Sequence, residues 1–199
     1  MTPTLLREFS CVQDCSDCCI YRQYYPSVDY GKIGVLLLPE EKKVIEKLAK
    51  EHKVRVTILP RLGTGMNKKS NGPHRVLAYQ LMGKVNGDYC PFLDINSNNR
   101  SPHGGFSCQI YKQRPLSCNA YPAITEKEKS VELDCNCKFS REYSNQSGKN
   151  LLDNELVALS KISNYFNVSD SKIWRYATHI GDKPFMKLLL PRGWYLQNL

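Results

Sequence analysis

Four cysteines fall within nine residues in CVQDCSDCC, residues 11–19: Cys11, Cys15, Cys18 and Cys19. Cys15 and Cys18 form a C-x2-C pair, the short chelate loop of zinc and iron–sulfur sites, because two intervening residues let both sulfurs reach one centre. Cys90, Cys108, Cys118, Cys135 and Cys137 follow, for nine in all. An odd count argues against a fully paired disulfide set. The opening MTPTLLREFS lacks the apolar centre of an export signal, so a reducing, cytoplasmic setting is expected. Metal ligation is the chemistry these residues then fit, with buried inert or redox-paired thiols as the alternative.

Read as a helix, residues 11–19 would carry Cys11, Cys15, Cys18 and Cys19 at roughly 0°, 40°, 340° and 80°, all on one face. One helical face cannot surround a tetrahedral ion, so the remaining ligands must come from later in the chain. Eight thiolates would complete two four-sulfur sites, and on two divalent ions they would bring the formal charge of +9 to about +5. The chain stays basic either way.

The elements that must position these thiols are short. In 199 residues, 41% of them hydrophobic, one core or one core with a small appendage is expected, and no apolar run is long enough to span a membrane. KIGVLLL reads as a strand, and LPEEKKVIEKLAKEH as a helix with Pro39 at its start, Glu40 and Glu41 in its first turn, and Val44, Ile45, Leu48 and Ala49 on its apolar face. VRVTILP is a further strand and LGTGMNKKSNGPH an exposed loop, whose GTG lacks the rest of a phosphate-binding motif. RVLAYQLMGKV, Asn86-Gly87 and DYCPFLD predict a hairpin with Cys90 on its second strand. SNNRSPHGG is a turn-rich excursion, FSCQIY a strand carrying Cys108, and RPLSCNAYP a helix with Pro115 in its first turn and Cys118 inside.

After a polar stretch, SREYSNQSGKN, LLDNELVALSKISNYF sets Leu152, Leu156, Leu159 and Ile162 on one helical stripe, with Tyr165 or Phe166 continuing it. SDSKIWRYATHI predicts a second helix capped by Ser169 or Asp170, and the apolar tail KPFMKLLLPRGWYLQNL is expected to pack back on the body. The predicted architecture is α+β. A cysteine-cluster domain over residues 1–145 surrounds a metal site with short antiparallel strands and helices, and a C-terminal helical extension over 146–199 packs on it.

Cys11, Cys15 and Cys18 also satisfy C-x3-C-x2-C, the spacing with which radical S-adenosylmethionine enzymes hold a [4Fe-4S] cluster. Those enzymes usually carry an aromatic residue before the third cysteine and a sizeable β/α barrel. Here Asp17 stands there, Cys19 follows at once, and too few strand–helix units remain for a barrel. The full order of C-x3-C-x2-C-C, CPFLD, CQIYKQRPLSC and NAYP instead resembles the YkgJ-like cysteine-cluster family, a zinc- or iron-chelating CxxCxxCC domain, over roughly residues 11–137. The resemblance implies that Cys11, Cys15, Cys18, Cys19, Cys90, Cys108 and Cys118 match the family's cluster positions. It implies that Ile110, Tyr111, Arg114, Pro115, Tyr121 and Pro122 match its framework, and that Cys135 and Cys137 fit its less regular later cysteine. Members are often labelled Fe-S oxidoreductases, and flagellin lysine N-methylases carry a similar cluster. Residues 94–107 and the C-terminal helices depart from the minimal pattern.

Tyr21, Tyr89, Phe92, Tyr111 and Tyr121 flank the cysteines and would shield a cluster from water, although ordinary core packing explains them equally. Arg114 could offset thiolate charge or bind an acidic group, against a purely structural role. His103 could replace a cysteine as ligand, against simple exposure on a loop; His52, His74 and His179 have no cysteine close in sequence. Lys68, Lys69, Arg75, Lys112, Arg114, Lys127, Lys129, Lys138 and Arg141 make the middle basic without forming one run, which suits a solvated face, an acidic protein or RNA. No hydrolytic residue set and no dinucleotide or triphosphate motif is present. The expected function is a metal-binding protein holding zinc or an iron–sulfur cluster through a cysteine-rich pocket, with the nine cysteines as candidate ligands and the choice between Cys135 and Cys137 open, in a structural, metal-handling or electron-transfer role. An Fe-S oxidoreductase or lysine methyltransferase-like enzyme is the second class, and a basic RNA- or protein-binding module folded around its metal the third.

Overall fold

A computed structural model describes residues 11–20, 26–27, 31–32, 34–65, 73–84, 89–127, 130–142, 152–167, 172–176 and 194–196. By its contacts the chain forms two compact units, Met1–Ile20 with Leu93–Tyr165, and Tyr21–Phe92 with Phe166–Leu199.

The first unit contains helix α1 (Asp17–Ile20) and carries eight of the nine cysteines, all but Cys90. The helix expected over 11–19 is confined to that one turn. Asp14 adopts a left-handed φ of 58°, which an α-helix does not accept, and the Cys15 N–H closes a tight turn onto the Val12 carbonyl at 3.1 Å. The four thiols therefore leave the chain from a turn followed by a helical start, and do not share a helical face.

The second unit contains the paired dipeptides β1 (Pro26–Ser27) and β2 (Gly31–Lys32), strand β3 (Val35–Leu37), helix α2 (Pro39–Glu51), and strands β4 (Ile58–Gly65) and β5 (Arg75–Leu81). Helix α2 starts as its sequence predicts. Pro39 needs no N–H in the first turn, and Glu41 reaches back to accept the Leu38 N–H at 2.8 Å. Ile45, Leu48 and Ala49 are buried, whereas Val44, at the edge of the apolar arc, is exposed.

Strand β5 lies between β3 and β4, paired antiparallel with both, and buries Leu77, Ala78, Gln80 and Leu81. This corrects the hairpin expected between β5 and the Cys90 segment. Cys90 lies outside any strand, and β5 already has a partner on each side; the Asn86-Gly87 turn lies outside the described residues. The buried Gln80 amide links both neighbours, accepting the Gly34 N–H at 3.1 Å and donating to the Pro60 carbonyl at 3.0 Å. Pro60 is accommodated in β4 beside a shift of register.

Strand β10 (Lys172–Tyr176) adds to β4, and β11 (Trp194–Leu196) adds to β10, completing a five-stranded sheet ordered β11-β10-β4-β5-β3. A helix was expected over SDSKIWRYATHI. Its described part is a strand because Ile173, Trp174 and Tyr176 favour pleated backbone and the free edge of β4 offers a ladder. The capping positions Ser169 and Asp170 lie outside the described residues, as do most of the tail, the loop at 66–72 and the side chain of Tyr21.

In the first unit β6 (Leu93–Asp94) pairs antiparallel with β7 (Ser107–Cys108), so the strand expected over FSCQIY is two residues long. Asp94 starts the loop between them, accepting the Asn96 and Ser97 N–H groups and the Ser97 hydroxyl, which holds its carboxyl below the usual range. A 3-10 turn (Tyr111–Gln113) leads to α3 (Leu116–Ala120), with Pro115 just before its first turn. Then follow the hairpin β8 (Ala123–Glu126) and β9 (Val131–Leu133), and helices α4 (Lys138–Glu142) and α5 (Asp153–Phe166). Ala120, Ala123, Ala158 and Leu159 form a buried cluster, with Leu116, Val131, Leu133, Leu156 and Ile162 packed on it. The predicted stripe of α5 thus packs against the segments that carry Cys118 and lead to Cys135. Short antiparallel strands and helices make the chain α+β, and among the described residues no helix is long and apolar enough to cross a membrane.

Candidate metal centre

The turn at residues 11–16 is clamped by the loop between β6 and β7. The Asp14 N–H donates to the His103 carbonyl at 2.7 Å, and the Phe106 N–H donates to the Ser16 hydroxyl at 2.7 Å. Gly104 and Gly105 permit this approach. Gly104 has φ +92°, and a Cβ on Gly105 would collide with the Cys15 carbonyl and the Ser16 hydroxyl. The sequence marks this loop as turn-rich; its Gly-Gly pair is the signal that another backbone comes close.

Cys15, held by this clamp, is buried, and Cys11, Cys18 and Cys19 are half-buried. Cys118 comes from α3. Cys137 is buried where α4 begins, after a turn in which its N–H donates to the Asp134 carbonyl at 3.0 Å. Cys11, Cys15, Cys18, Cys118 and Cys137 line one cavity of about 350 Å³ within the first unit. Cys19 lies beside it with its sulfur 3.8 Å from that of Cys18, and Cys108 feels the charges of Cys118 and Cys18. Cys135 is exposed outside the cavity lining, and Cys90 belongs to the second unit. None of the nine cysteines is in a disulfide, and among the described residues no three Cys, His, Asp or Glu side chains are grouped closely enough to hold an ion as they stand.

Burial governs the ionisation of Cys11, Cys108 and Cys137. It pushes Cys11 up to about 12, with further upward pressure from Cys15, Cys18 and Cys137. Burial also raises Cys108 and Cys137. At Cys137 the rise is opposed by the backbone N–H groups of Phe139 and Ser140 and by the Tyr121 hydroxyl. Without a cation these sulfurs are neutral thiols near pH 7; a metal is what makes several adjacent thiolates tolerable.

Polar and aromatic groups complete the lining. Tyr111 and Tyr121, both among the aromatics that flank the cysteines in the sequence, border the cavity; the Tyr121–Pro122 peptide is cis. Arg114 lies over the Tyr111 ring, 4.0 Å from its centroid, and its Nε donates to the Tyr111 carbonyl at 3.1 Å. His103 is half-buried in the lining, where burial and then the Arg114 charge lower its pKa. Sequence reasoning missed Asp17, whose carboxylate pairs with Lys138 at 3.1 Å, and Glu155, which reaches the cavity from α5. Glu155 sits on a helix whose stripe was read only as core, and nothing in its local sequence marks it.

Five cysteines, two tyrosines and one arginine line a cavity in a small α+β unit, the composition of a cysteine-rich chelating domain. The family described as "CxxCxxCC: Putative zinc- or iron-chelating domain" matches residues 10–138, more than half of the chain, and the chain belongs to this family. Comparison with curated proteins and with solved structures gives no match.

Proposed function

We propose that the chain is a metal-binding protein that holds zinc or an iron–sulfur centre with the thiolates of Cys11, Cys15, Cys18, Cys118 and Cys137. The observation that carries this reading is the convergence of these five cysteines, from three separate stretches of chain, on one cavity. The family match covers residues 10–138, so the proposed ligands extend to Cys19, Cys108 and Cys135 of the same unit.

The donor set fits either group. Thiolates suit zinc and iron–sulfur centres, and both centres take up to four sulfurs. The five side chains already border one cavity, and binding would gather their sulfurs around one centre. Zinc would cross-link three parts of the unit, whereas a cluster would add a one-electron carrier. The chain's own residues would orient and shield the site: the Phe139 and Ser140 N–H groups hold Cys137, the Ser16 clamp fixes Cys15, and Tyr111 and Tyr121 limit water.

Anaerobic purification with metal and acid-labile sulfide analysis tests the proposal. Iron with matching sulfide supports electron transfer, and stoichiometric zinc without sulfide supports a structural or metal-handling role. A folded protein containing neither contradicts both.

A further inference from the structure

The cavity is larger than an ion requires. A tetrahedral ion sits among its own sulfurs, whereas about 350 Å³ lies within the range that receives a small molecule. The other groups in the lining are not equivalent. Lys138 is engaged by Asp17 at 3.1 Å, and Glu155 adds a second carboxylate to the lining. Arg114 differs. Its Nε is held by the Tyr111 carbonyl and its plane rests on the Tyr111 ring, and among the described residues no carboxylate pairs with it.

A guanidinium fixed through its Nε and one face keeps its terminal nitrogens for a planar, two-point partner. His103 lies close enough to sense the Arg114 charge and borders the same space. As a neutral imidazole it offers one N–H donor. Resting on the metal reading above, we propose that Arg114 and His103 form a receptor for a small oxyanion, a carboxylate or a phosphate group, held beside the metal centre. The site would then bind a small anionic substrate or co-ligand as well as a metal. The competing role for Arg114 is to offset thiolate charge with no ligand at all, and the two roles separate experimentally.

Acetate and inorganic phosphate are titrated calorimetrically, at constant ionic strength with chloride as control, into the full-length protein as purified, after its metal content has been measured. Saturable 1:1 uptake of one of them is expected, weakened at least tenfold in Arg114→Gln. Arg114→Lys keeps the charge but loses the fork, so it is expected to retain metal while losing most of the anion affinity; it decides the matter if Arg114→Gln fails to hold metal. Acetate uptake alone identifies a carboxylate ligand, and phosphate uptake alone a phosphate one. A metal-filled wild type that takes up neither anion, or an Arg114→Lys variant that binds as the wild type does, overturns the inference. An empty wild type instead contradicts the metal reading, and if it also binds neither anion both are overturned.

Discussion

The Phe106 N–H donates to the Ser16 hydroxyl at 2.7 Å across 90 residues of sequence. Ser16 stands between Cys15 and Cys18, the two cysteines of the C-x2-C pair, so this bond ties the thiol-bearing turn to the loop that precedes Cys108. Ser16→Ala leaves the Phe106 N–H without its acceptor at a largely buried position, at an expected cost of about 1–3 kcal/mol. Thermal unfolding checks this, and an unchanged midpoint would show that the clamp contributes nothing.

Gly105→Ala is expected to be worse than an ordinary surface change. The new Cβ meets the Cys15 carbonyl and the Ser16 hydroxyl, and the carbonyl belongs to backbone that cannot swing away. Displacing the turn is expected to cost on the order of 2 kcal/mol and to reduce metal content together with stability. Metal analysis of the purified variant reads the second effect, and a fully loaded Gly105→Ala protein would refute the link between clamp and centre.

Gln80 offers a contrast from the other unit. Gln80→Leu keeps the volume but strands the Gly34 N–H and the Pro60 carbonyl, for an expected loss of about 1–3 kcal/mol. Among variants that still fold, metal per chain should stay at the wild-type level. A large drop in metal content per folded chain would contradict placing the centre in the first unit.

Metal uptake should release protons. Cys11 is raised to about 12, and Cys108 and Cys137 are raised as well, so these groups are neutral thiols in the metal-free protein and must lose their protons to ligate. The sign follows directly: affinity rises with pH throughout the range below the raised thiol values and falls on acidification. Titrations in buffers of different ionisation enthalpy should report at least two protons released per metal bound. A heat independent of buffer would contradict thiolate ligation.

Much of this was legible in the sequence where local rules act alone. Pro39 with Glu41 fixed the start of α2, the stripe through Leu156, Leu159 and Ile162 marked α5, and cysteine spacing pointed to a shared thiol cavity. The helix over 11–19 failed because spacing says nothing of the left-handed Asp14, whose N–H is bonded to His103 in a loop far along the chain. The hairpin after β5 failed because two other strands compete for its edges, and residues 172–176 became a strand because β4 had an edge to fill. Glu155 and the Asp17–Lys138 pair arise only when distant segments meet, which no local pattern encodes.

X-ray absorption at the metal edge of the anaerobically purified protein tests the central claim most directly. The account predicts at least three sulfur neighbours at about 2.3 Å around zinc or iron. Their number should fall in a Cys15→Ser, Cys18→Ser double variant. A bound metal surrounded only by nitrogen and oxygen, or sulfur neighbours unchanged in that variant, would contradict it.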